Sequence, residues 1–152
     1  MNTRIRRFRK ILSAKELWRD EERKRLAEER KAEDAIRSSL ESLCEERIDA
    51  LREFSKESGR MCTCMDLWFR RQVVDAVDKT ISERNLQLSS IREQISGTEI
   101  RLTEKHRDVR IMETFIGSLV EEDKTKNARY EQEELDDFAG IRYQGTRTEG
   151  EE

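Results

Sequence analysis

The chain has 152 residues, of which 43% are charged and 34% apolar, and its formal net charge is −3. So little apolar material excludes a thick globular core and leaves two possibilities, disorder or long helices that each bury one narrow stripe. The absence of proline and the abundance of Glu, Arg, Leu, Lys and Ala favour the helices.

The chain opens on a cationic amphipathic segment, Arg4-Ile5-Arg6-Arg7-Phe8-Arg9-Lys10-Ile11-Leu12. Residues 1–31 hold twelve Lys/Arg against six Asp/Glu, whereas residues 121–152 hold five against eleven. Three readings of the opening stay open: a helix lying on an anionic membrane, a basic surface against an acidic protein collar, or a solvated end neutralised by the acidic terminus. The chain as a whole lacks the basicity of a nucleic-acid binder, and its apolar runs are too short for a signal-peptide core or a stable membrane insertion.

Helix one is expected over about residues 4–57. Ile5, Leu12, Leu26, Leu40 and Phe54 share the a position of a heptad frame, with Phe8, Ile36, Leu43 and Ala50 at d. Arg19, Glu22, Glu29 and Glu33 interrupt it, and this charged stretch calls for i,i+4 ion pairs. Ile48 and Leu51 fall outside the frame, which predicts a stutter there. Ser58 and Gly59 then break the pattern, so a turn is expected over about 58–63.

Helix two is expected over about 64–139. Spacings of 3 and 4 from Val74 give Val77, Ile81, Arg84, Leu88, Ile91, Ile95, Thr98, Leu102, Lys105, Val109, Met112, Ile116, Leu119 and Asp123, eleven of the fifteen apolar. A period of 3.5 held over six heptads is a coiled-coil signature. A short turn makes the two helices antiparallel. With its centre at residue 60 or 61, residue i should face a residue near 121 − i. The polar seam positions Thr98 and Lys105 would then meet residues near 23 and 16, where helix one is charged. The expected fold is therefore all-α: a long two-helix antiparallel coiled-coil hairpin over 1–139, about 110 Å along helix two, with 140–152 as a disordered tail.

No constellation for catalysis is legible. No lysine follows a glycine as a phosphate-binding loop requires, and His106 has no nucleophile at a readable spacing. No cofactor or metal is expected: Cys62 and Cys64 would need two more ligands, and Cys44 and His106 lie far along the helices. Near the turn, Trp68 and Phe69 fall outside the seam, and Phe69, Val73, Ala76 and Thr80 step by 4, 3 and 4 into a second, outward ridge. Either the turn folds over these groups or they form a partner site.

Several segments together resemble the FliJ/YscO family, the stalk proteins of type III secretion systems. They are Arg6-Arg7-Phe8-Arg9-Lys10, the run Arg71-Gln72-Val73-Val74-Asp75-Ala76-Val77-Asp78-Lys79-Thr80-Ile81, and Tyr130-Glu131-Gln132-Glu133-Glu134-Leu135-Asp136-Asp137-Phe138-Ala139. The Cys-x-Cys tip is not a mark of that family. The resemblance implies a non-enzymatic, cytoplasmic, monomeric stalk at the base of the secretion apparatus. Its two termini would enter the pore of a hexameric secretion ATPase, and its far part would reach the export gate protein, linking ATP hydrolysis to export. Some members also handle export chaperones. Carried over by position, Arg6, Arg7, Arg9, Lys10, Tyr130, Leu135 and Phe138 would face the ring. Val73, Val77, Thr80 and Arg84, beside Trp68 and Phe69, would face the gate. The arginine-rich opening is more similar to the injectisome branch than to the flagellar one. A cytoplasmic scaffold coiled coil, such as a parallel homodimer, is the competing expectation.

Overall fold

The computed structural model describes residues 2–59 and 63–148, without the side chains of residues 57, 58 and 148. Among them are two helices and no strand: α1 (Thr3–Ser58) and α2 (Cys64–Thr148). They pack against each other as a helical hairpin, as the heptads predicted.

Each helix start has a local cause. Asn2 caps α1, its side-chain oxygen accepting from the Arg4 amide at 3.1 Å. At the start of α2, Thr63 and Asp66 cap reciprocally. The Thr63 hydroxyl oxygen accepts from the Asp66 amide at 3.3 Å, while the Asp66 carboxylate accepts from the Thr63 amide at 3.4 Å and its hydroxyl at 2.9 Å. This is a capping box with Asp in the Glu position. α2 continues through Gly140 and Gly145 to Thr148, past the expected end near 139. Each glycine in an exposed helix costs about 1 kcal/mol relative to alanine, and no proline stops the helix.

The contacts divide the chain into two units, residues 1–19 with 105–152 and residues 20–104. In both, the heptad frame decides what is covered. All fifteen seam positions of α2 from Val74 to Asp123 are buried or half-buried. On α1 the frame from Ile5 to Phe54 is covered at every a and d position except Arg47. The expected stutter is absent: Ile48 and Leu51 stay exposed, while Ala50 and Phe54 hold the frame. Two outward apolar residues did not outweigh a register already fixed by the residues around them.

In the first unit, Ile5, Val109, Ile116 and Leu119 are buried. Phe8 meets Phe115 edge to face, with ring centroids 4.9 Å apart and planes at 82°. Lys105, a cation at a seam position, lies 5.5 Å from the centroid of the Trp18 ring, so the aromatic face takes the place of an ion-pair partner.

In the second unit, Leu26, Val74 and Ile95 are buried, and so is Thr98, at 0% exposure. The Thr98 hydroxyl donates to Glu29 Oε1 at 3.0 Å and accepts from Arg101 Nη2 at 2.9 Å. Arg101 Nε reaches Glu22 at 3.4 Å. This polar layer replaces an apolar one without leaving the hydroxyl unpaired, although Glu29 Oε2 is buried with no hydrogen-bond partner. Ion pairs join the helices from this layer toward the turn: Arg30–Glu99 and Arg92–Glu33, each at 3.3 Å, then Arg47–Asp78 and Arg70–Glu53. The charged stretch of α1 is thus held partly across the hairpin and partly along α1, as in Arg37–Glu33 at 2.9 Å.

These pairs correct the expected register. Glu22 with Arg101 and Glu53 with Arg70 have numbers that add to 123, and Arg30 with Glu99 to 129, against the expected 121. Thr98 meets Glu29, not a residue near 23. α1 ends at Ser58 and α2 begins at Cys64, as the sequence led one to expect, so the position of the turn does not account for the difference.

Leu26→Ala is expected to cost about 2–4 kcal/mol, whereas Leu86→Ala, at an exposed site, should change stability by no more than about 0.5 kcal/mol. Urea unfolding followed by circular dichroism measures both. At the polar layer, Thr98→Val alone strips Glu29 and Arg101 of a shared partner and should cost about 1–3 kcal/mol. Thr98→Val with Glu29→Leu should instead stabilise by about 1 kcal/mol, the low end for apolar replacement of a buried polar cluster because Glu29 is only half-buried. A double variant less stable than the single one would refute that account.

Candidate partner-binding surfaces

Most seam residues are used up in holding the hairpin, so a partner is met mainly by side chains that the frame turns outward. In the first unit, Arg6, Arg7, Arg9 and Lys10 are all exposed on the opening turns of α1, around the anchors Ile5 and Phe8. The anchors fix which way the cations point. With Ile5 buried at a and Phe8 half-buried at d, the intervening arginines have only solvent to occupy.

The same unit carries the end of α2. From Lys124 to Arg147 every residue is exposed, because α1 has already begun and no described part of it is left to cover them. Tyr130, Leu135 and Phe138, the other expected ring-facing residues, are 65–70% exposed. At 1.5 Å per residue they lie roughly 15–27 Å beyond the point where α1 starts. The two halves of the expected ring-facing set therefore share one unit but occupy successive stretches of it. Ile141 and Tyr143 are equally exposed and were missed because the segment after Gly140 was expected to be a tail. On the helix, Tyr130, Ile141, Phe138 and Leu135 fall within an arc of roughly 140°, interspersed with Glu131 and Glu134. Only Tyr130 belongs to the seam frame. The apolar arc has rotated away from the face that pairs with α1.

In the second unit, the expected gate-facing residues separate into two groups. Phe69 is 62% exposed and Val73 38%, one turn apart on one face. Met65, a turn earlier still, is also exposed, so the ridge starts there, and its spacing of four from Phe69 is the signal that identifies it. Trp68 is exposed too; three positions after Met65 it is that residue's neighbour on the helix, although it lies roughly 140° around from Val73. Val77 and Arg84 are seam positions and half-buried. Arg84 donates through Nη1 to Gln87 at 2.9 Å, while its buried Nε has no hydrogen-bond partner, so its guanidinium is drawn into the hairpin. Thr80 is half-buried, with its hydroxyl donating to the Ala76 carbonyl at 3.0 Å. Beside Val73 and Val77 a groove of about 300 Å³ opens toward α1, where Glu46, Asp49, Ala50 and Glu53 form its other wall. Sequence reading missed this wall, because it considered only one helix at a time near the turn.

Other candidates from the sequence carry less. Cys44 and Cys64 are free and exposed, and Cys62 lies outside the described residues. No group of three or more His, Cys, Asp or Glu able to hold a metal ion occurs among the described residues. No described helix is long and apolar enough to cross a membrane.

Comparison with known proteins gives one match. The family model described as "Flagellar FliJ protein" matches residues 4–148. No curated protein and no solved structure matches the chain.

Proposed function

Because the chain belongs to the FliJ family, whose members are structural, stalk-like proteins of flagellar and type III export, we propose that it is a non-enzymatic stalk whose terminal end enters the pore of a hexameric secretion ATPase. The observation that carries this reading is the end of the first unit. A basic opening of α1 is followed, along the same unit, by an α2 segment that exposes Tyr130, Leu135 and Phe138 on an acidic background. A single helix with no partner is marginal in water, and this one exposes aromatic rings that a partner would cover. A ring of subunits around a central opening meets both requirements at once. Its collar takes the cations, and its inner wall takes the aromatic arc.

The opposite side of the protein's role is the export gate. The ridge of Met65, Phe69 and Val73 lies near the turn, outside the seam, and is available to a second partner. In this reading ATP hydrolysis in the ring acts on the stalk, and the stalk acts on the gate, at the cytoplasmic face of the apparatus. Export chaperones are further partners. Within the family, the run Arg6-Arg7-Phe8-Arg9-Lys10 favours the injectisome branch.

Reversing Arg6, Arg7, Arg9 and Lys10 to Glu should weaken binding to the hexameric ATPase by at least about tenfold and diminish any stimulation of hydrolysis. Leu135→Ala with Phe138→Ala should weaken binding similarly with little change in helix content, since both side chains are exposed. Sedimentation gives the affinities and phosphate release gives the rates. Unaltered binding and hydrolysis in both variants would remove the ring from this account.

A further inference from the structure

We propose that the groove between Ala50 of α1 and Val73 and Val77 of α2 receives a partner segment in which a bulky apolar side chain is flanked by lysine or arginine. The proposal deepens the gate-facing reading and rests on it for the partner's identity, but the chemistry of the occupant follows from the groove itself.

The floor is apolar. Val73, Val77 and Ala50 line it, and the exposed ridge of Met65 and Phe69 leads into it one helical turn at a time. Its volume of about 300 Å³ is at the small end for a binding pocket, enough for one large side chain and too little for a folded domain. Val73 is still 38% exposed, so an apolar group seated there would gain the burial that the hairpin does not supply.

The wall is acidic. Glu46, Asp49 and Glu53 follow one another at spacings of 3 and 4, which brings them to one side of α1. The cation in the lining is Arg70, and it is engaged with Glu53. Asp49 has Arg52 along its own helix at 3.9 Å, but both are about three-quarters exposed, and such a pair contributes little. Three carboxylates against one guanidinium leave a surplus of two negative charges around the apolar floor. An acidic segment, or an anionic lipid surface, would be repelled there. A segment with basic residues beside its apolar anchor would satisfy wall and floor together.

The test uses the full chain with labelled methyl groups and three synthetic peptides. One is an amphipathic Leu/Lys helix, the second has the same composition in scrambled order, and the third has Glu in place of Lys. The Leu/Lys helix should shift the Ala50, Val73 and Val77 methyl resonances and bind at least about tenfold more tightly than the other two. Glu46→Lys with Asp49→Lys should lose about tenfold of that affinity, and Val73→Asp should lose all measurable binding, with circular dichroism unchanged in each. Three results would each overturn the proposal: equal binding of all three peptides, binding indifferent to these substitutions, or shifts confined to the α2 end around Tyr130. Self-association of the protein, relieved by the same substitutions, would also overturn it, because a second copy and not a separate partner would then be the occupant.

The cytoplasmic part of the export gate protein, titrated in parallel, separates the two readings. If it binds through Phe69 but ignores the charge reversals, the acidic groove fails and the gate contact stands. If it does not bind while the Leu/Lys helix does, the gate contact fails and the groove chemistry stands.

Discussion

A chain with 43% charged residues can hide its apolar side chains only if each helix gathers them onto one stripe and finds a matching stripe to lay it on. That constraint organises everything else here. The stripe of α2 finds its match in the same chain, and once it is covered nearly every other side chain is turned to solvent. The fold therefore separates structural residues from contact residues more cleanly than a globule does. A covered a or d position holds the hairpin, and what faces outward is free for partners.

The seam of α2 was fully legible because a period of 3.5 is a property of one helix and needs no knowledge of its neighbour. The frame of α1 was legible for the same reason, although charge dilutes it. What depends on the relation between the helices was read less well. The pairing is displaced by a few residues although the turn falls where it was expected, because which long side chains meet across the seam is settled by both helices at once. Ile48 and Leu51 suggested a stutter since hydrophobicity alone does not say whether a side chain is covered. Gly140 and Gly145 suggested an end to α2, yet two glycines without a proline weaken a helix and do not stop it.

Contact surfaces were legible only in part. Phe69 and Val73 stood out as apolar residues that the frame leaves outside, and the structure adds Met65 to them, with Trp68 beside Met65. The acidic wall of Glu46, Asp49 and Glu53 could not be read from either helix alone, since on α1 it looks like any solvated face. It acquires meaning only when α2 places Val73 and Val77 opposite. The basic opening and the acidic, aromatic end of α2 were both visible as composition. Their separation along the unit became visible only once the start of α1 had been located against α2.

The layer of Thr98, Glu29 and Arg101 has a mechanical consequence. Sliding α1 along α2 by one heptad toward the turn would carry the Glu29 carboxylate from the Thr98 hydroxyl to the hydrocarbon of Ile91, stranding a charge among methyl groups. Slippage toward the turn is penalised in this way, so α1 cannot creep past α2 in that direction. A push that drives α1 toward the turn in that segment is therefore carried by both helices in step.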